Sequence, residues 1–195
     1  GTTSNAYSFS GNIVDNGSGN GGLEVIKTGT GTQTLTGNIT LDDDTSSFLN
    51  VHEGKLVIDR SSSNTNDFTS EYIVGEVGST LEFNQDFADE ITLGFAHTST
   101  AKDFKGTLEL TGTTDGHRIT ISSGSTASDY ENEQILSGSL KASGMQYLWK
   151  DGVGKLRLTG DSSTEFARDI ALHNGTLIIG DGVDGGADFH ASTIF

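Results

Sequence analysis

One phrase occurs twice in this chain, and its repetition constrains the fold more than any other feature. Residues 148–160 have the sequence LWKDGVGKLRLTG, and an imperfect copy, VIKTGTGTQTLTG, stands 123 residues earlier at 25–37. A second phrase follows each copy, VHEGKLVID at residues 51–59 and LHNGTLIIG at residues 172–180. Strand-and-turn phrases that recur in this way are typical of an array of stacked units, not of a globular enzyme. The lysines and glycines of the phrase are interpreted as corners of a stacked coil.

Short runs of alternating apolar and polar residues predict β-strands throughout the chain. Such alternation places the apolar side chains on one face of a strand. Turn-forming pairs such as Asn-Gly and Asp-Gly separate the runs, and no window shows helical spacing over three turns. Proline is absent, so every backbone N–H is available to a sheet ladder. The runs lie at residues 34–36, 39–41, 81–83, 91–95, 108–110, 119–121, 156–158 and 177–179.

Among all-β architectures, a right-handed parallel β-helix explains the spacing best. A sandwich or barrel would show hairpins without long-range repetition, and a propeller would show a period of roughly 40–50 residues. A β-helix tolerates irregular intervals, because loops can bulge from any corner while the strands stack. Leucine phrases 16 to 32 residues apart are interpreted as one coil each. They are centred on Leu35, Leu56, Leu81, Leu108, Leu140, Leu156 and Leu177.

The whole chain, residues 1–195, is predicted to be a single β-helix segment. Repeat-like phrases occupy residues 7–59 and 134–180, and degenerate rungs occupy residues 60–133. About eight rungs stacked at about 4.8 Å would make a rod roughly 40 Å long. Both ends have the character of cuts, so we expect a fragment of a longer rod.

Composition excludes several classes of function. The chain has 27 acidic and 11 basic residues, a formal net charge of −16, which would repel phosphate backbones and anionic lipids. Nucleic-acid binding is therefore not expected. Apolar runs are mostly three or four residues, far below the roughly 20 that span a bilayer. Cysteine is absent, which excludes disulfides, thiolate metal sites and cysteine nucleophiles.

The order of residues in the repeated phrase resembles the autotransporter-associated β-strand repeat. That repeat has the pattern Leu-x-Lys-x-Gly-x-Gly-x-Leu-x-Leu-x-Gly, followed by Asn-x-Gly-Thr-Leu or a close variant. Residues 148–160 and 174–180 match it well. Residues 27–37 and 54–59 match less well, because Gln33 stands where the repeat has an aliphatic residue.

The resemblance implies a passenger domain of a Gram-negative type V secreted protein. It implies a parallel β-helix that is displayed on, or released from, the cell surface after passage through an outer-membrane barrel. It also implies that the repeat assists folding during secretion. It does not identify a ligand.

No catalytic residue is predicted among the histidines or the acids. The chain has no Gly-x-Ser-x-Gly elbow, and His52 and His173 occupy equivalent turn positions in the repeat. Asp42-Asp43-Asp44 and residues 86–90 could pair carboxylates, as polysaccharide-cleaving β-helix enzymes do. We interpret them as solvated turns, and Trp149, the one tryptophan, as a packing residue. The remaining histidines are His97, His117 and His190.

No cofactor or metal is predicted either. Residues 181–188, DGVDGGAD, lack the spacing of an EF-hand calcium loop. Residues 15–22, DNGSGNGG, precede neither the Lys-Ser/Thr of a phosphate loop nor a helix. Asn16, Asn38 and Asn174 stand in glycosylation-like triplets but are not interpreted as glycosylated.

Three hypotheses about function remain open from sequence. The first is a non-catalytic autotransporter passenger segment on the cell surface or secreted, acting in adhesion, self-association (autoaggregation) or biofilm formation. Its partners would be other copies of itself, or host and extracellular-matrix surfaces, and the full-length chain would be attached to an outer-membrane barrel. The second is an inert stem or folding module that supports an effector domain elsewhere. The third is a polysaccharide-active β-helix enzyme.

Overall fold

The computed structural model consists of short parallel strands, with no helix in the residues it describes. These are residues 5–15, 22–41, 47–59, 68–70, 72–85, 92–95, 102–112, 116–120, 133–143, 147–152, 154–160 and 169–180. The strands are β1 (Ala6–Phe9), β2 (Ile13–Val14), β3 (Glu24–Lys27), β4 (Thr32–Leu35), β5 (Ile39–Leu41), β6 (Phe48–Val51), β7 (Lys55–Asp59), β8 (Phe68–Ser70), β9 (Tyr72–Gly75), β10 (Thr80–Gln85), β11 (Thr92–Phe95), β12 (Lys102–Phe104), β13 (Thr107–Gly112), β14 (Gly116–Thr120), β15 (Glu133–Leu136), β16 (Leu140–Ala142), β17 (Tyr147–Asp151), β18 (Lys155–Leu158), β19 (Asp169–Leu172) and β20 (Thr176–Ile179).

The strands form three parallel sheets that the chain visits in turn. Sheet A has the order β1-β4-β7-β10-β13-β16. Sheet B has the order β2-β5-β8-β11-β14-β17-β19, and sheet C the order β3-β6-β9-β12-β15-β18-β20. From β1 to β15, each strand therefore pairs with the strand three places further along the chain, which is the topology of a β-solenoid. β17 and β18 pair with β19 and β20, two places further on. The predicted all-β, parallel β-helix character is confirmed.

The core consists of columns of apolar side chains stacked from coil to coil. In sheet A, Leu56 is in register with Leu81, and Leu81 with Leu108. All three are at most 2% exposed, and they belong to one continuous cluster of buried residues. Because alternate residues face outward, each short strand contributes about two side chains to this core. Burying each of them contributes about 1.5–3 kcal/mol.

The predicted rule of one coil per leucine phrase is wrong at one place. Leu140 lies in sheet A, whereas Leu156 lies in sheet C of the same coil, in register with Gln134 and Leu177. Sixteen residues are too few to return to the starting sheet, since the register partners Leu156 and Leu177 are already 21 residues apart. The sheets hold six or seven strands within the described residues, so the count of about eight rungs stays a prediction.

Glycines allow neighbouring coils to approach closely at the corner where the chain leaves sheet C. Gly106, Gly138 and Gly160 stack there in successive coils. A Cβ on Gly138 would collide with the carbonyl oxygen of Gly106, and one on Gly160 with that of Gly138. Only a residue without a side chain fits such a column.

One polar side chain in the core is satisfied by the backbone. Gln134 is 2% exposed, and its side-chain amide reaches the peptide group of Ile73, two strands away in sheet C. The N–H of Ile73 donates to Oε1 at 3.2 Å, while Nε2 donates to the carbonyl of Ile73 at 3.1 Å. Nε2 also lies 3.1 Å from the carbonyl of Lys102. The side-chain amide thus hydrogen-bonds to the backbone as a neighbouring strand would. Its burial costs little, because its N–H groups and its oxygen have hydrogen-bond partners.

Candidate interaction face and the lysine corners

Both copies of the repeated phrase build the same corner. Gly29 and Gly152 have φ of 76° and 72°, the left-handed region in which glycine is favoured. One coil later, Gly54 and Gly175 have φ of 67° and 77°. The sequence interpretation of these glycines as corners is confirmed.

The backbone hydrogen bonds of the two corners also correspond. The N–H of His52 donates to the carbonyl of Lys27 at 2.9 Å, and the N–H of His173 donates to that of Lys150 at 2.9 Å. The residues after the second glycine, Lys55 and Thr176, each donate to a glycine carbonyl of the preceding coil, at 3.2 and 3.3 Å. The two phrases therefore have one local structure.

The two copies nevertheless lie at different corners. The first connects β3 of sheet C to β4 of sheet A, and the second connects β17 of sheet B to β18 of sheet C. The phrase thus specifies a type of corner, not a position around the solenoid.

At each corner a lysine ammonium hydrogen-bonds to backbone carbonyls. Nζ of Lys150 lies 2.6 Å from the carbonyl of Asp151, 2.8 Å from that of Gly152 and 3.1 Å from that of Asn174. Lys150 is 0% exposed and stands in a register position between Ile119 and Leu172. This lysine belongs to the core.

Burial changes the proton affinity of both lysines. Desolvation lowers the pKa of Lys150 to about 8, although the negative charge of Asp151 acts to raise it. Desolvation also lowers the pKa of Lys27, against the charge of Glu53. The cause is the same in both corners.

The outer surface of sheet A carries ordered polar columns. We call the outward-facing residues of β7, β10 and β13 the sheet A face; they are Lys55, Val57, Asp59, Thr80, Glu82, Asn84, Thr107, Glu109 and Thr111. Nζ of Lys55 lies 2.7 Å from a carboxylate oxygen of Glu82 and 2.7 Å from one of Glu109. The hydroxyl of Thr111 donates to Glu82 at 2.8 Å. Cross-strand contacts hold these side chains in fixed positions.

Lys55 offsets the repulsion between two neighbouring carboxylates. Glu82 and Glu109 are direct register partners on adjacent strands, where like charges destabilise a sheet. Burial lowers the pKa of Lys55, but hydrogen bonds to Glu109 and Glu82 raise it more, so that the net shift is upward. The lysine side chain is 34% exposed, so solvent screens these pairs, and each contributes about 1 kcal/mol or less.

The first described coil exposes apolar side chains. Tyr7 is 63% exposed, Phe9 47%, Val14 46% and Ile26 50%. In the coils that follow, the register partners of Phe9 on this sheet, Leu35 and Ile58, are buried. At this position of sheet A, an apolar side chain therefore lies at the surface in the first described coil and in the core in the next two.

The structure places some of the residues considered for chemistry. His52 and His173 are exposed in corners, and the half-buried ring of Trp149 lies 6.2 Å from that of His173. Asn38 and Asn174 also lie in corners between strands. His117 lies in β14. The remaining candidates lie outside the described residues; they are Asn16, Asp42, Asp43, Asp44, Asp86, Asp89, His97, residues 181–188 and His190.

Two searches of the described ranges bear on other kinds of site. Among those residues, no three histidine or acidic side chains lie close enough together to hold a metal ion. In the same part of the chain, no helix is long and apolar enough to cross a membrane.

Comparisons with protein-family models, with curated proteins and with solved structures give no match for this chain.

Sequence reasoning missed both the Lys55–Glu82–Glu109 ladder and the inward position of Lys150. The ladder joins residues 27 and 54 positions apart along the chain, which become neighbours only once the coil lengths are known. For Lys150 a signal was present, because the strict alternation of Leu148-Trp149-Lys150 places it on the same face as Leu148.

Proposed function

We propose that this chain is a non-catalytic segment of a cell-surface autotransporter passenger that acts in adhesion, self-association or biofilm formation. The parallel β-solenoid fold and the repeated phrase support this proposal. We also propose a right-handed coil of about eight rungs in a longer rod. The known preference of parallel sheets supports this handedness, since crossover connections between parallel strands of one sheet are right-handed in about 98% of cases.

The mechanism that we propose is lateral contact between the sheet A faces of two copies. The observation that carries it is the ladder of Lys55 between Glu82 and Glu109, both at 2.7 Å. The chain as a whole has a net charge of −16, whereas the three acids and one lysine of this face leave a formal charge of −2. Two copies that meet here therefore bring together only a small part of the total charge, and salt screens the remaining repulsion over about 8–10 Å.

Ordered polar side chains make such a contact inexpensive in entropy. Asn84 donates to Asp59 at 3.3 Å, and Thr111 donates to Glu82 at 2.8 Å, so these side chains are already fixed by their neighbours. An interface between pre-ordered groups loses less conformational freedom on binding. Thr80 and Thr107, which are register partners, present further hydroxyls along the same face.

The same ladder argues against the enzyme alternative on this face. Glycoside hydrolysis needs one carboxyl that holds a proton and a second that acts as base or nucleophile. Glu82 and Glu109 both bind the same lysine ammonium and are therefore not free to take these two roles. The stem alternative remains, and it differs from our proposal in predicting a monomer at every concentration.

Sedimentation velocity of the purified chain in 150 mM NaCl, over a wide range of concentration, tests the proposal. We expect concentration-dependent association that weakens at low salt, where the charge of −16 is less screened. Thr107→Arg, on the sheet A face, should abolish association. Thr40→Arg, on the half-buried outer side of β5 in sheet B, is the matched control and should leave it intact.

A third variant separates lateral contact from contact through the exposed first coil. Ile26→Lys places a charge on that coil and should leave lateral association unchanged. If the wild-type chain stays monomeric at all concentrations and salts, self-association is wrong and the stem hypothesis is favoured. If Ile26→Lys abolishes association and Thr107→Arg does not, the sheet A face is the wrong surface.

A further inference from the structure

Each repeated corner contains a cage of three backbone carbonyls around one ammonium group. Around Nζ of Lys150 the acceptors are the carbonyls of Asp151, Gly152 and Asn174, at 2.6, 2.8 and 3.1 Å. Around Nζ of Lys27 they are those of Thr28, Gly29 and Glu53, at 3.0, 2.6 and 2.9 Å. An ammonium group has three N–H donors, so each cage saturates its lysine.

The three carbonyls of a cage come from two coils. Two belong to the corner that directly follows the lysine, and the third belongs to the corner of the next coil, 24 residues beyond Lys150 and 26 residues beyond Lys27. The third carbonyl in each case precedes a glycine with positive φ, Gly175 or Gly54. The ammonium therefore connects successive coils at a point where the chain turns between strands.

We infer that these corners are ammonium-binding sites made of backbone carbonyls, which the chain fills with its own lysine to fasten each coil to the next. The glycine conformations direct the carbonyls to one point, so the cage is a property of the backbone. The lysine is a tethered ligand of that cage. A free primary ammonium ion of suitable size should therefore occupy the cage when the lysine side chain is removed.

Other lysines serve as a contrast within the same molecule. Lys55 binds two side-chain carboxylates on the outer side of sheet A, whereas Lys27 and Lys150 bind backbone carbonyls of the corners. Lys155 is half-buried on β18, immediately beyond the corner that contains Gly152. It is a matched control, because it is close to the Lys150 cage and carries the same charge.

Chemical rescue of Lys150→Ala tests the inference. This variant keeps Cβ and lacks three carbons and the ammonium, which is the structure of n-propylammonium. We expect amide exchange at His173 and Thr176, measured by hydrogen–deuterium exchange, to become at least tenfold faster, and n-propylammonium to restore protection with saturation. The amide of Thr80, in a distant coil, should be unaffected, and Lys155→Ala should show neither effect.

Tetramethylammonium separates hydrogen bonding from ionic strength, since it carries the same charge and has no N–H donor. Equal protection by tetramethylammonium or sodium chloride would overturn the inference, and so would exchange in Lys150→Ala no faster than in Lys155→Ala. If Lys150→Ala fails to fold, Lys27→Ala in the first described coil allows the same test, read at the amides of His52 and Lys55. Unchanged exchange at those amides would also contradict the inference.

Discussion

The corners at Lys27 and Lys150 have the same hydrogen bonds and different surroundings. Each ammonium contacts three carbonyls between 2.6 and 3.1 Å. Lys27 is half-buried in the first described coil, whereas Lys150 is 0% exposed between β14 and β19. The phrase therefore encodes the geometry of the corner, while the neighbouring coils determine how much water reaches the lysine ammonium.

The strands that follow the two corners differ in the same way. Gln33 in β4 corresponds to Leu156 in β18 within the phrase. Gln33 is half-buried, and its side chain donates to the carbonyl of Thr34 at 3.0 Å. Leu156 is 0% exposed and in register with Gln134 and Leu177. β4 and β18 are each the second strand from one end of their described sheet, so their place in the column does not distinguish them. The phrase has a polar residue at this position where the side chain is half-buried and an apolar residue where it is fully buried.

The largest expected effect on stability comes from a charge at Leu156, the fully buried residue of the two. Leu156→Asp would place an unpaired carboxylate in the core and should destabilise the fold by more than about 4 kcal/mol. Circular dichroism during thermal unfolding would show loss of the folded state. Leu177→Asp, at a half-buried site in the last described strand, should cost less. A Leu156→Asp variant that melted like the parent would contradict the solenoid core.

A methyl group at the corner of the second copy should have the next largest effect. Gly175 has φ of 77°, and a Cβ there would collide with the carbonyl oxygen of Gly152. Gly175→Ala should cost about 2–4 kcal/mol in denaturant unfolding, from strain and displaced backbone. Gly180→Ala is the control, since φ is 85° but no atom of the described residues lies within 4 Å, and it should cost only about 1 kcal/mol. Equal costs would show that the carbonyl cage has room to move.

Alkaline pH should distinguish the two lysines. The folded-state pKa of Lys150 is about 8, below the ordinary 10.5 of the unfolded chain. Between these values the unfolded chain binds a proton that the folded chain has released, so the free energy of unfolding rises with pH. Relative to Lys150→Met, the slope should approach but not exceed about 1.4 kcal/mol per pH unit.

Denaturant titrations at pH 7.5 and 9.5 measure this slope. The same comparison with Lys27→Met should give a smaller slope of the same sign, because Lys27 is less buried and its pKa is lowered less. A slope of opposite sign for Lys150 would show that the cage stabilises the ammonium more than burial destabilises it.

The smallest expected effect is a gain in stability. Gln33→Leu would extend the column of Leu56 and Leu81 by one coil and should stabilise the fold by about 1 kcal/mol. A matched Thr34→Val on the outer side of the same strand should change little. If Gln33→Leu destabilised the chain, the hydrogen bond from Gln33 to Thr34 would be worth more than the apolar contact.

The sequence predicted the architecture because its signals are local. Alternation identified the inward leucines, such as Leu56 and Leu108, and turn glycines such as Gly54 identified corners. The assignment of leucine phrases to coils was not predictable in full, because coil length varies. Leu108 and Leu140 are 32 residues apart and in register, whereas Leu140 and Leu156 belong to one coil.

Contacts between distant residues could not be predicted for the same physical reason. The pairing of Gln134 with Ile73 spans 61 residues and depends on how three successive coils are aligned. The cross-coil bond of Lys150 to Asn174 depends on the length of the coil between them. Neither follows from strand propensity or turn chemistry.

Disulfide trapping tests the central claim, which is that the second copy of the phrase turns a corner within the coil that contains Leu140 and does not begin a new coil. The chain has no cysteine, so each engineered pair is unambiguous. Arg157 is the register partner of Ile135, about 4.8 Å away as in any pair of neighbouring strands, which is within disulfide range. One coil per phrase would instead place Arg157 beside Lys141. We predict that Ile135→Cys/Arg157→Cys forms a disulfide readily and that Lys141→Cys/Arg157→Cys does not, and the reverse result would contradict this account.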